Sequence, residues 1–221
     1  MLLEKYYPFN TQMFFIQGSA VAMVEYFVKW LTSIERNGNK IIMESYIEPL
    51  NQSIPRLPPF TSGDERRFLF VQLDSNWVFY LSNFKLGTDN SVSAVMVDVF
   101  KTKCLSICNR QDGKFIDILG WSEQSNSSEL LREVGYSIES GLSFFNQGTP
   151  FEFERTDLFQ KRKIRERFTD ESILAFLNGL NIPLNFADDT ICRYAFFVHK
   201  KGKLWPASKE YSWEEAKKWG L

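Results

Sequence analysis

The chain has 221 residues, with 26 Lys or Arg against 27 Asp or Glu, for a formal net charge of −1. A nucleic-acid-binding domain ordinarily carries a basic excess, so that class is set aside and no nucleic-acid partner is expected. The 44% hydrophobic content and 21 Phe suit one large domain, or two small ones, with a substantial core.

Met13–Leu31 is the one long apolar run, but Gln17, Glu25 and Lys29 inside it would be costly in a bilayer core. Met1–Asn10 lacks the basic start of a secretion signal. The expectation is a soluble, cytoplasmic protein with no membrane partner. Within the run, Met13–Ile16 reads as a short strand broken by Gly18-Ser19. Ser19 then caps a helix over Ala20–Ser33, with Val21, Val24, Val28 and Leu31 at helical spacing and Phe27 beside them. Tyr26 and Trp30 form a second apolar strip. Lys40–Tyr46 fits either a strand or a helix start. Pro49, Pro55, Pro58 and Pro59 make 49–63 a loop that joins an N-terminal layer, residues 1–60, to the sheet.

Residues 66–109 carry the clearest local signals. Arg67–Leu73 is apolar on both alternating faces, as in a strand covered on both sides. Asp74-Ser75-Asn76 is turn chemistry, and Trp77–Ser82 returns as a second strand. Gly87-Thr88-Asp89-Asn90-Ser91 leads into a helix with Val92, Val95, Met96 and Val99 on one face, and Lys103–Cys108 is a third strand. Gln111-Asp112-Gly113 is a hairpin turn with Lys114–Trp121 pairing back. Leu142–Phe145 and Phe151–Glu154 are short strands around Gly148-Thr149-Pro150. Asp157–Phe168 reads as a strongly basic helix with Phe159, Ile164 and Phe168 inside. Thr169 caps the next helix, whose stripe is Ile173, Leu174, Phe176, Leu177 and Leu180. Ile191–His199 is an aromatic strand turned by Lys200-Lys201-Gly202, and Ser212-Trp213-Glu214-Glu215 is a capping box. The expected fold class is α+β, a mixed, mainly antiparallel sheet with helices packed on it, as a single domain over 1–221.

Cys104, Cys108 and Cys192 are too few for a disulfide framework. On one strand, Cys104 and Cys108 share a face about 13 Å apart, beyond the reach of a bridge. Two thiolates so placed cannot close on one zinc ion, and with a single histidine, His199, no metal site and no cofactor are expected. Cys192 and His199 point to opposite faces of one strand and form no dyad. Carboxylates at Asp64-Glu65, Asp112, Asp117 and Asp188-Asp189 carry no local catalytic signature. A hydrolase-type enzyme using convergent carboxylates or His199 is one alternative reading. The loop Asn83–Ser91 offers another, a small-anion or nucleotide site at Gly87, Thr88 and Ser91, with helix capping as the ordinary role of those residues.

Lys161, Arg162, Lys163, Arg165 and Arg167 place five positive charges in seven residues. Three readings stay open: a solvated face, pairing of Arg162 or Arg165 with Glu152, Glu154 or Asp157, and a docking surface for an anionic protein partner.

Three patches, Trp77–Asn83 with Gly87-Thr88-Asp89, Gly148-Thr149-Pro150-Phe151-Glu152, and Arg162–Thr169, together resemble a family of uncharacterised bacterial cytoplasmic proteins. The resemblance implies a bacterial cytoplasmic location and no activity. The aromatic-rich α+β composition without an active-site motif is similar to that of immunity proteins of bacterial toxin systems. On that basis the chain is expected to be a non-enzymatic interaction protein that binds one toxin-like partner, with Lys161, Arg162, Arg165 and Arg167 as the binding residues.

Overall fold

The structure is a computed structural model describing residues 6–35, 38–63, 65–85, 87–88, 90–139, 141–183, 194–202 and 208–219. In chain order the elements begin with β1 (Gln12–Gln17), α1 (Ala20–Ile34), β2 (Lys40–Tyr46) and α2 (Leu50–Ser53). They continue with β3 (Phe60–Thr61), β4 (Arg66–Gln72), β5 (Trp77–Ser82) and α3 (Asn90–Phe100). Next come four strands, β6 (Lys103–Asn109), β7 (Gly113–Ser122), β8 (Ser127–Ser137) and β9 (Ser143–Gln147). The chain closes with α4 (Asp170–Gly179), β10 (Tyr194–Lys201), β11 (Glu210–Tyr211) and α5 (Trp213–Ala216). The fold is α+β, with helices on antiparallel sheet. No helix among the described residues is long and apolar enough to cross a membrane.

Two compact units share the chain discontinuously: residues 1–17 with 90–184 and 221, and residues 18–89 with 185–220. The Pro-rich stretch 49–63 runs inside the second of these.

In the first unit, β1, β6, β7, β8 and β9 pair antiparallel in that order. Between Ile118 and Leu119 the β7–β8 register slips, so that Arg132 opposes Ile118 while Leu130 opposes Leu119. The extra residue, Leu131, makes a bulge. One sheet face carries α3, where Ser93 hydrogen-bonds Cys104. The opposite face carries α4, through an ion pair between Lys114 and Asp170. The buried side of α3 is Val92, Ser93, Met96 and Val97. Val99 is exposed, because the buried arc centres one residue away from the Val95/Val99 diagonal.

The second unit orders its strands β2-β10-β4-β5, all antiparallel. Every residue of β5 is buried, as are Phe68–Val71 of β4. α1 lies on this sheet through Phe27, whose ring meets Phe68 at 4.8 Å and Phe70 at 5.2 Å. Its buried stripe is Ala20, Met23, Val24, Phe27 and Leu31, while Val21 is exposed. Lys40–Tyr46 is a strand, and β10 runs on through Lys200 and Lys201, which pair with Ile41 and Lys40 instead of turning. β3 and β11 form a small separate sheet, against which Trp219 packs edge-on to Phe60 and Tyr211. The Ser212–Glu215 capping box is formed, with Ser212 Oγ accepting from Glu215 N–H and Glu215 Oε2 accepting from Ser212 N–H at 2.7 Å.

Candidate functional site

The basic stretch is not a helix. Residues 155–169 are two single 3₁₀ turns, Thr156–Leu158 and Ile164–Glu166, linked by bends. The physical reason lies in the spacing of Phe159, Ile164 and Phe168, at i, i+5 and i+9, which gives no continuous helical stripe. Only Phe168 is fully buried. Phe151–Glu154 is likewise a turn and not a strand.

What holds this irregular stretch is a buried ion pair. Arg132 on β8 is 0% exposed and grips Glu154 bidentately, Nε to Oε1 at 2.8 Å and Nη2 to Oε2 at 2.6 Å. Its third nitrogen, Nη1, donates to the carbonyls of Gln147 (2.6 Å) and Glu133 (3.2 Å). Glu154 Oε1 also accepts the Phe151 N–H at 2.9 Å. The planar guanidinium fork supplies the parallel donors that a carboxylate needs, and its remaining N–H groups are satisfied by backbone. Phe151 and Phe153 stack at 5.1 Å, and Phe153 meets Phe176 of α4 edge-on at 5.5 Å. The stretch is thereby fastened to β8 at one end and to α4 at the other.

From this base the cations point outward. Lys161, Arg162, Lys163 and Arg165 are all exposed. Arg167 turns back, its Nε donating to the Lys161 carbonyl at 2.7 Å and its guanidinium lying 5.5 Å from the Phe144 ring centre. Lys163 pairs with Glu166 at 3.0 Å. Of the three acids expected to neutralise Arg162 or Arg165, Glu152, Glu154 and Asp157, two are engaged elsewhere: Glu154 takes Arg132, and Asp157 takes Arg155 at 2.9 Å. That Arg155 hydrogen bond, with Arg155 charge and then Lys161 charge behind it, holds the Asp157 carboxyl below its usual value. Arg165 lines an open groove of about 440 Å³ together with Lys114, Tyr136, Phe168, Asp170 and Glu171.

At the Asn83–Ser91 loop, the Gly87 N–H donates to the Phe84 carbonyl at 3.1 Å, and Thr88 is buried with its Oγ1 accepting the Ser82 N–H at 3.3 Å. The neighbouring Lys85 amine donates to Tyr211 Oη at 3.1 Å. Ser91 is exposed at the start of α3, in the other unit. Both Gly87 and Thr88 thus serve the turn itself, and Leu86 and Asp89 lie outside the described residues.

His199 sits mid-strand in β10, with Nε2 2.8 Å from Glu65 Oε1. Cys104 and Cys108 are buried, and burial pushes both thiols up to about 12, far from a nucleophilic thiolate. Cys192, Asp64, Asp188 and Asp189 lie outside the described residues. Asp112 pairs with Arg110 at 3.1 Å. Asp117 stands directly opposite Glu133 across β7 and β8. Burial, with the Glu133 charge behind it, pushes the Asp117 carboxyl up to about 7.

Arg132 and Asp117 were not legible as special residues. Arg132 directly follows the extra residue of the β7–β8 bulge, and the partners of the two residues, Glu154 and Glu133, are set by tertiary contacts alone. Compared with known proteins, the chain matches no protein-family model, no curated protein and no solved structure.

Proposed function

We propose that the protein is a non-enzymatic interaction protein, of the immunity-protein kind, that binds an acidic patch on one toxin-like protein partner through its basic stretch. The observation that carries this reading is the outward display of Lys161, Arg162, Lys163 and Arg165 from a base anchored by Arg132–Glu154, beside the groove that Arg165 lines. A flexible charged loop would lose much of its binding energy to ordering, whereas a fixed one does not. Arginine suits such a surface because its fork engages carboxylates two at a time. The test is affinity capture from a lysate of the chain's own source cells by the wild-type chain and by an Arg162→Glu/Arg165→Glu variant. Capture of one stoichiometric partner, lost in the variant at unchanged melting temperature, is expected. A partner held equally by both would move the interface elsewhere, and no partner at all would count against the reading.

A second reading, acid–base chemistry by convergent carboxylates, is favoured by one pair. Asp117, raised to about 7, faces Glu133 across the strand, and a carboxyl poised near neutrality is what a general acid needs. Hydrolysis of a model ester or glycoside near pH 6 that disappears in Asp117→Asn would establish it.

A further inference from the structure

The sheet of the second unit ends in β2, a strand whose outer side takes no neighbour among the described residues. β2 pairs with β10 on one side, and among the described residues nothing pairs with its other side. It is seven residues long and contains no proline. Among its pairs with β10 there is no register slip. An edge of that length presents a row of backbone N–H and C=O groups ready for another strand, and natural sheets usually blunt such edges. Large apolar side chains lie exposed along it beside the charged Lys40 and Glu44: Met43 is 48% exposed, Ile47 80%, and Ile34, at the end of α1, 50%.

The register shows which side Met43 takes. Phe27 of α1 packs on Phe68, Phe68 pairs with Val198, and Val198 pairs with Met43. Directly opposed residues share a face, so Ile41 and Met43 lie on the face that carries α1, where Tyr26, Trp30 and Ile34 recur at i, i+4 and i+8 and are only partly covered. Lys40, Ile42 and Glu44 take the other face, and both charged residues are exposed.

We infer that β2 pairs with the β2 of a second copy of this chain, antiparallel and about a two-fold axis through Ile42. The sequence of the strand, Lys-Ile-Ile-Met-Glu, is complementary to itself in that register. Lys40 meets the partner's Glu44, Ile41 meets the partner's Met43, and Ile42 meets its own copy, so the Lys–Glu pair forms twice by symmetry while Ile41 and Met43 stack on the α1 face. Within one chain Glu44 accepts from the Tyr46 hydroxyl; shifting the axis by one residue, to Met43, sets Lys40 opposite Tyr46 and Glu44 opposite Ile42, so that no charge pair crosses the contact. A two-fold contact of this kind is isologous and closes at a dimer. The strand alone covers too little for a stable dimer, which needs on the order of 1,200 Å² in total, and the α1 strip with Met43 and Ile47 supplies the rest. None of the residues of the basic stretch takes part.

The test is the mass of the full chain by light scattering coupled to gel filtration, at concentrations up to about 100 μM, where a contact of even modest affinity is populated. The expected mass is twice the 25.9 kDa of one chain. Lys40→Glu, which sets Glu against Glu44 at two symmetric places, is expected to weaken dimerisation about tenfold or more, and Glu44→Lys likewise. The double variant Lys40→Glu/Glu44→Lys exchanges the charges and is expected to restore the dimer. Circular dichroism and melting of each variant separate loss of pairing from loss of fold. A 25.9 kDa monomer at the highest concentration, a dimer indifferent to Lys40→Glu, or folded single variants that the double does not rescue would each overturn the assignment. Growth past a dimer would do so as well, since it would mean an open, head-to-tail contact.

Discussion

Arg132 is wholly buried with Glu154, and a buried ion pair is costly to break because the remaining charge has neither water nor partner. Arg132→Met should therefore destabilise the protein by about 3–5 kcal/mol in urea unfolding, and adding Glu154→Leu should recover much of that loss. If the single change costs less than about 1 kcal/mol, the pair does not hold the 148–169 stretch in place. Asp117 works in the opposite sense. Its carboxyl is raised in the folded state from an ordinary value near 3.8 to about 7, so the folded protein holds that proton more tightly than the unfolded chain does. Stability from this group is thus present in acid, falls as pH rises through the interval between those two values, and stays low above it. Asp117→Asn removes the titration and should leave the protein more stable than wild type at pH 8, by at most about 4 kcal/mol, with little difference near pH 4. Equal pH profiles for the two proteins would show that Asp117 ionises without cost.

At the scale of elements, legibility came from signals only a few residues apart. The β4–β5 hairpin needed just an apolar alternation, Asp74-Ser75-Asn76, and a second apolar run, and the strand read at Trp77–Ser82 is β5 residue for residue. The stripe on α1 is less legible. Val21 and Val28 fit a helical period as well as Met23 and Phe27 do, and only the sheet beneath chooses between the two arcs. That choice can be measured: Phe27→Ala should cost about 3–5 kcal/mol, for it empties a ring from between Phe68 and Phe70, whereas Val21→Ala at an exposed position should stay within about 0.5 kcal/mol. Comparable losses at both sites would mean that the helix buries a different face. The basic stretch failed as a helix for a related reason. Charge density says nothing about backbone conformation, and the clamp that sets this backbone, Arg132 on Glu154, comes from a strand 22 residues away. The candidate site was therefore legible as a composition, five cations together, and not as a shape.

For the whole molecule, the feature furthest from any local signal is the place of β10. It is drawn from the C-terminal fifth of the chain, yet it lies between β2 and β4, with Phe196, for example, facing both Ser45 and Phe70. Nothing within ten residues of Tyr194 could indicate partners some 120–160 residues earlier. The consequence is that the second unit draws on residues 185–220, while the first, apart from residue 221, is built from residues 1–17 and 90–184. Ending the chain after Pro183 removes the only strand that β2 pairs with among the described residues and one of the two neighbours of β4. If the units open separately, as contiguous packed blocks often do, amides of β6, β7 and β8 in the shortened chain should keep their protection from hydrogen exchange while those of β2 exchange at unprotected rates. Loss of protection in both sets together would instead make β10 the closing strand of one cooperative block, and the discontinuous path of the chain would then be the means by which its two units fold as one.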